Sequence, residues 1–194
     1  MADVTGVLLA AGGSTRFGSH KLLALIHNKP LIVYSAVALD PCDHIVAVVR
    51  EDDTDLHSRL RDLDIECVVN AEPARGIGFS IACAVQATAD SGGWCLLPAD
   101  MPYVDPATTR QLVQALHNGA ALAAPVYQDQ RGHPVGFSAR FYGALAGLDG
   151  DTGARRILQQ YSDQLSMINT DNAGVLQDVD IPADLDTVSA LTLG

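Results

Sequence analysis

The chain has 194 residues, enough for one domain with a substantial core and too few for two comfortable ones. Apolar residues make up 48% and charged residues 18%, and 23 Asp and Glu against 12 Lys and Arg leave a net charge of −11. A field of that sign argues against a nucleic-acid polymer or a membrane surface as partner, although a local cluster of cations or a metal ion can reverse it inside one cleft. No apolar run approaches the roughly 20 residues that span a bilayer. The N-terminus shows neither a basic n-region nor a cleavage-like site, so a cytoplasmic protein is expected. Cys42, Cys67, Cys83 and Cys95 have no CxxC spacing and no neighbouring His, which predicts free thiols rather than a zinc site or disulfides.

Short β-rich runs alternate with helical patterns, the mark of an α/β domain with a largely parallel sheet. A first strand is expected over Val4–Ala10, followed by a Gly-Ser-Thr loop. Pro30 opens a helix to about Leu39, since a proline at the first helical position loses no hydrogen bond. His44–Val49 reads as a strand, Asp53–Leu63 as a polar helix, Ile65–Val69 as a strand, and Gly78–Ala89 as a helix of small apolar residues. Trp94–Pro98 is an apolar strand. Asp105 is placed to cap a helix that runs to about Asn118, and Gly119 to end it. Ala120–Tyr127 and Pro134–Ser138 are strands around a polar turn, expected as a small antiparallel insertion. Gly153–Tyr161 is helical, Leu165–Thr170 is a strand, and Ala183–Leu191 is a closing helix.

Ligands of open α/β sheets bind beyond the carboxyl ends of the strands. That rule selects the loops Ala11–Lys21, Asn70–Ser80 and Ala99–Val104, and the segment before Pro182. The first carries Gly12-Gly13-Ser14-Thr15-Arg16-Phe17-Gly18-Ser19-His20-Lys21. Small residues let backbone amides approach an anion, and Arg16 and Lys21 add a planar fork and a point charge suited to phosphate oxygens. Neither GxxxxGK[ST] nor G-x-G-x-x-G is present, which excludes a P-loop and disfavours a dinucleotide-dependent oxidoreductase. The strand ending in Leu96-Leu97-Pro98-Ala99 delivers Asp100 to the same edge. Because Asp105 is the better helix cap, Asp100 is free for another task. Asp178-Val179-Asp180 offers a second carboxylate, with both aspartates on one side if the stretch is extended. A nucleotide-bound Mg²⁺ needs only one or two protein carboxylates. Ser80 falls in a first helical turn, where its hydroxyl is placed to meet a base edge. Arg75 has two open roles, at the phosphates or paired with Glu72. His133 is suited to an anionic acceptor, and the role of Arg131 is open.

LAAGGSTRFGSHK, from Leu9 to Lys21, closely resembles the LAAGxSxRxGxxK signature of the nucleotidyltransferases, in particular the MobA/MocA-like branch. The resemblance extends through Asn70–Ser80, the Asp100-Met101-Pro102 stretch, Gly132-His133-Pro134-Val135, Gly150–Arg155 and Asp178–Asp184. It implies a Rossmann-like three-layer α/β/α sandwich over residues 1–194, and a Mg²⁺- (or Mn²⁺-) dependent transfer of a nucleotide from CTP, or alternatively GTP, to molybdenum cofactor. Pyrophosphate leaves in that reaction. A molybdenum hydroxylase would be the client enzyme, and a non-catalytic carrier of the cofactor is the reading from another class. The resemblance assigns Leu9, Ala10, Ala11, Gly12, Asn70, Gly76 and Ser80 to the nucleotide. It assigns Arg16 and Lys21 to the triphosphate, Asp100 and Asp180 to the metal, and His133 and Arg155 to the acceptor. Asp178 and Asp184 are expected to support the turn and cap the last helix. Ala99 stands where the family usually has Gly.

Overall fold

A computed structural model of the chain describes residues 3–12, 17, 20–181 and 184. In chain order, β1 (Val4–Leu9) leads to a 3₁₀ turn at Lys21–Leu23, a hairpin of β2 (Leu25–Ile26) and β3 (Lys29–Pro30), and α1 (Leu31–Val37). Next come β4 (His44–Arg50), α2 (Thr54–Asp62), β5 (Glu66–Asn70), α3 (Ile77–Ala87), β6 (Gly93–Pro98) and α4 (Pro106–His117). The remainder holds β7 (Leu122–Tyr127), β8 (Gln130–Arg131), β9 (Val135–Ser138), α5 (Tyr142–Ala146), α6 (Arg155–Gln160) and β10 (Leu165–Asn169). Of the expected closing helix Ala183–Leu191, only Asp184 is among the described residues.

The main sheet runs β10-β7-β9-β6-β1-β4-β5, with β8 added to β7. β1 pairs parallel with β4 on one side and with β6 on the other. The chain therefore builds outward from β1 through β4 and β5, then crosses back to lay β6 on the opposite flank. That reversal is the topological switch point, and it opens a crevice beyond the carboxyl ends of β1 and β6. The strands expected over Ala120–Tyr127 and Pro134–Ser138 pair antiparallel, as β7 and β9, and β9 lies inside the sheet, antiparallel to both β6 and β7. Val135 and Phe137 share one face and enter the same core, while Gly136 between them lies against Leu116 on the other, so β9 is covered on both sides.

Alternation along the strands feeds two cores. Leu8, Ala47, Val49, Cys95 and Leu97 face α1, α2 and α4, through Leu31, Ile32, Leu56, Leu60 and Leu112. Val7, Val46, Val48, Trp94 and Leu96 face α3, α5 and α6, through Ile81, Val85, Leu145, Ile157 and Leu158. The result is a helix layer on each face of the sheet. The predicted Asp105 cap forms, its carboxylate accepting from Thr108 N–H at 2.7 Å, and Asp53 caps the polar helix in the same way, accepting from Leu56 N–H at 3.3 Å. Each such cap stabilises its helix by about 1 kcal/mol. Gly119 adopts φ +92°, the left-handed conformation expected just past a helix end. All four cysteines are free. Among the described residues, no helix is long and apolar enough to cross a membrane.

Candidate active site

The crevice beyond β1 and β6 brings together Lys21, Asp100, Asp178 and Asp180. Leu9 ends β1, and its carbonyl accepts from Ala99 N–H at 3.1 Å, tying the two loops together where they leave the sheet. Ala10 and Ala11 are buried and Gly12 is exposed, with open space where a side chain would be. Arg16 lies outside the described residues. Lys21 opens the 3₁₀ turn and reaches across the crevice. Its Nζ donates to Asp100 Oδ2 at 2.8 Å and to Asp180 Oδ1 at 3.3 Å.

Asp100 follows β6, and its carbonyl accepts from Val179 N–H at 2.9 Å. Val179 is fully buried, so its two neighbours are turned outward by the alternation of an extended chain. The Asp184 carboxylate accepts from the N–H groups of Asp180 and Ile181 at 2.8 and 2.9 Å, which holds the turn as expected. Asp178 departs from expectation. It joins Asp100 and Asp180, the three offering carboxylate oxygens within 4.8 Å of one another. The D-x-D alternation was the signal for it. Burial, and then the charges of Asp100 and Asp180, push the Asp178 carboxyl above its ordinary value. Burial pulls the Lys21 ammonium down, but the hydrogen bonds and charges of Asp100 and Asp180 outweigh it and hold the pKa above ordinary. Three convergent hard oxygen donors from two segments are a donor set that fits Mg²⁺ or Mn²⁺.

The Asn70–Ser80 loop is braced by its own side chains. Asn70 is fully buried; its Nδ2 donates to Ser80 Oγ at 2.9 Å and its Oδ1 accepts from Glu72 N–H at 2.8 Å. In this structure the two side chains thus brace the loop from within. Gly76 has φ +89°, and a Cβ there would overlap the Asp151 carboxylate and come within 2.6 Å of Gly150 C. It lets the loop press against the segment before α6, where Gly78 N–H donates to Gly150 O at 2.8 Å. Arg75, left with two roles by the sequence, pairs here with Asp149 at 3.0 Å and Glu72 at 3.3 Å, and its guanidinium lies 3.7 Å from the Phe79 ring centre. Asp149, distant in sequence, gave no signal.

His133 stands between two cavities. One, of about 300 Å³, is largely apolar, walled by Leu9, Ile77, Ile81 and Phe137, with Arg155 at its side. The other, of about 340 Å³, contains Asp100 and Asp178. Burial pushes the His133 imidazole below its ordinary value, and the nearby charge of Arg131 adds to that; the Leu96 carbonyl opposes both. The site joins a cation-ready carboxylate trio, a lysine and an apolar chamber in one crevice.

Residues 6–165 match the family described as the MobA-like NTP transferase domain.

The chain belongs to that family. Among its relatives, the purine catabolism protein PucB of Bacillus subtilis is 27% identical, over 94% of each chain. Nicotine blue oxidoreductase of Paenarthrobacter nicotinovorans is 27% identical, over 91% of this chain and 92% of that one. Rv0371c of Mycobacterium tuberculosis superimposes with a TM-score of 0.81 at 25% identity, covering 97% of this chain and 98% of that chain, and has also been solved in complex with manganese.

Proposed function

We propose that this MobA-like NTP transferase moves a cytidylyl group from CTP to the terminal phosphate of molybdenum cofactor, with Mg²⁺ or Mn²⁺ bound by Asp100, Asp180 and Asp178. The observation that carries the reading is the carboxylate trio within 4.8 Å, crossed by Lys21 and adjoining an apolar chamber. The metal, when bound, supplies Lewis-acid neutralisation of phosphate charge. Arg16 and Lys21 take the triphosphate and the departing pyrophosphate. Leu9, Ala10, Ala11 and Gly12 line the nucleotide through the backbone, and the Asn70–Ser80 brace with Gly76 shapes the loop beside it. His133 and Arg155 face the acceptor.

In the step itself, an acceptor phosphate oxygen bonds to the α-phosphorus and the α–β bridging P–O bond breaks. A phosphate monoester dianion and a triphosphate give a pyrophosphate diester and free pyrophosphate with no proton left over. No general base is needed, and positioning with charge neutralisation carries the catalysis. GTP is the alternative donor. An oxidoreductase reading, raised by the name of one relative, leaves the trio and Lys21 without a task. A carrier of molybdenum cofactor for a hydroxylase client also needs no trio.

The test is to incubate the protein with Mg²⁺, molybdenum cofactor and each NTP in turn, and to measure pyrophosphate. Release with CTP alone is expected. Release only with GTP moves the reading to a guanylyl transfer, and no release with any NTP refutes it.

A further inference from the structure

We propose that Arg131 selects a phosphorylated acceptor and holds its phosphate against the carboxylate side of the crevice. This inference rests on the transferase reading and names the acceptor-selecting residue within it. Arg131 ends β8, and its backbone is fixed from two directions. β8 pairs with β7 through Val126↔Arg131. Immediately after it, Gly132 N–H donates to Pro125 O at 2.9 Å and His133 N–H to Val175 O at 2.9 Å. A Cβ on Gly132 would overlap the Val175 carbonyl, so the segment is pressed flat on its neighbour and cannot drift.

From that fixed base Arg131 lines both cavities. The residues they share are Pro98, Arg131, Gly132 and His133. Of these four, Arg131 alone carries a permanent charge. Arg155 lines the apolar chamber but not the carboxylate side. An acceptor with its body in the apolar chamber and its reacting end toward Asp100 must pass its phosphate across Arg131.

The charge of Arg131 is also uncommitted. Arg50, Arg59 and Arg75 each pair with a carboxylate, whereas among the described residues Arg131 has no ion pair, although Asp100 and Asp178 line the same cavity. In a chain of net charge −11, such a cation is available to an incoming anion. A guanidinium offers a planar fork that matches two phosphate oxygens and orients them, which a point charge does not. The ligand chemistry that fits is a phosphate monoester on an apolar, ring-sized body.

Two measurements test this. In the transfer assay, Arg131→Ala is expected to raise the KM for molybdenum cofactor at least tenfold and leave the KM for CTP within twofold, with Arg131→Lys in between. An acceptor KM within twofold of wild type, or equal rises for both substrates, overturns the proposal. In the second, phenyl phosphate is titrated calorimetrically into the protein without nucleotide, which does not depend on turnover. Binding by the wild type that weakens at least tenfold in Arg131→Ala supports the role even if no NTP yields pyrophosphate. Absence of binding by the wild type, or equal binding by both, overturns it while leaving the transferase reading to its own assay.

Discussion

The two edges of the sheet make an instructive pair. At the amino edge lies the larger cavity, about 720 Å³, walled by Asp3, Asp40, Asp43, Asp64, Glu66 and Asp90. Among the described residues, no three of its acids converge. Asp43 accepts from Val4 N–H at 2.7 Å, and Asp3 lies 3.6 Å from His44 Nε2. Among the described residues, only at the carboxyl edge do three carboxylates meet within 4.8 Å. Cavity volume favours one edge and convergence favours the other. Convergence comes from topology: β1 and β6 are neighbours at the point where the chain reverses direction across the sheet. The loops leaving them must then face each other, and the Asp178–Asp180 segment is drawn in by the Val179–Asp100 hydrogen bond.

Removing a carboxylate at each edge should break this comparison most sharply. Asp100→Asn is expected to lower the rate of pyrophosphate release by about 10²–10³-fold or more, the scale of losing one preorganised electrostatic group. Its thermal unfolding should stay near that of the wild type. Asp90→Asn, an exposed residue of the amino-edge cavity, should leave the rate within about twofold, as a surface substitution remote from any such group does. Equal losses at both edges would show that overall charge, not convergence, governs the activity.

Lys21 sharpens the same point. Its ammonium already occupies the mouth of the trio, bonded to Asp100 and Asp180. It therefore competes with a divalent cation until phosphate oxygens offer it another partner. Lys21→Met is expected to slow turnover by about 10²-fold, as for a lost phosphate-stabilising group. In the absence of nucleotide it should nevertheless bind Mn²⁺ more tightly than the wild type, read by the Mn²⁺ electron paramagnetic signal. Weaker Mn²⁺ binding would mean that the lysine helps to build the metal site instead.

Gly76→Ala moves from charge to backbone. The position needs φ +89° and has no room for a Cβ beside Asp151 and Gly150. Strain of this kind costs about 1–3 kcal/mol, measurable as a lower midpoint in urea. Because the same contact sets the distance between the α3 and α6 sides of the apolar chamber, acceptor KM should rise with it.

How much of this was legible in the sequence follows from the range of the interactions. Asp105 and Gly119 act on residues within one helical turn, and both were readable as helix punctuation. The LAAG loop, Lys21 and Asp100 were readable because a strand end followed by chemistry-bearing residues is itself a local pattern. The interior position of β9 was not, because pairing Trp94 with Phe137 depends on a register set far along the chain. Asp178 and Asp180 look alike in sequence, and only the folded segment shows that both flank Asp100. Asn70 and Ser80 read as nucleotide contacts because they occupy the right loop; that they bond to each other depends on the curl of the backbone between them.

The smallest expected effect concerns Arg75 and Asp149, a pair the sequence left open on one side and silent on the other. Two guanidinium nitrogens meet the Asp149 carboxylate at 3.2 and 3.0 Å, and Gly150 N–H donates to Arg75 O at 2.9 Å. The pair is exposed, so its contribution to stability is small, and Asp149→Asn should shift the unfolding midpoint by no more than about 2 °C. Its effect belongs to geometry: it clips the nucleotide-side loop to the segment that leads into Arg155. Acceptor KM is expected to rise by about two- to fivefold, with CTP KM unchanged. The pH behaviour follows from the sign of the shift. The Arg75 hydrogen bonds, and then the Gly150 amide, hold the Asp149 carboxyl below its ordinary value. Whatever the ion pair contributes is thus complete above the usual carboxylate pKa of about 4 and is lost only as pH falls through the lower folded value. The ratio of variant to wild-type KM should be flat from about pH 6 to 9. A ratio that changed within that window would assign the effect to another titrating group and remove the clip from the acceptor site.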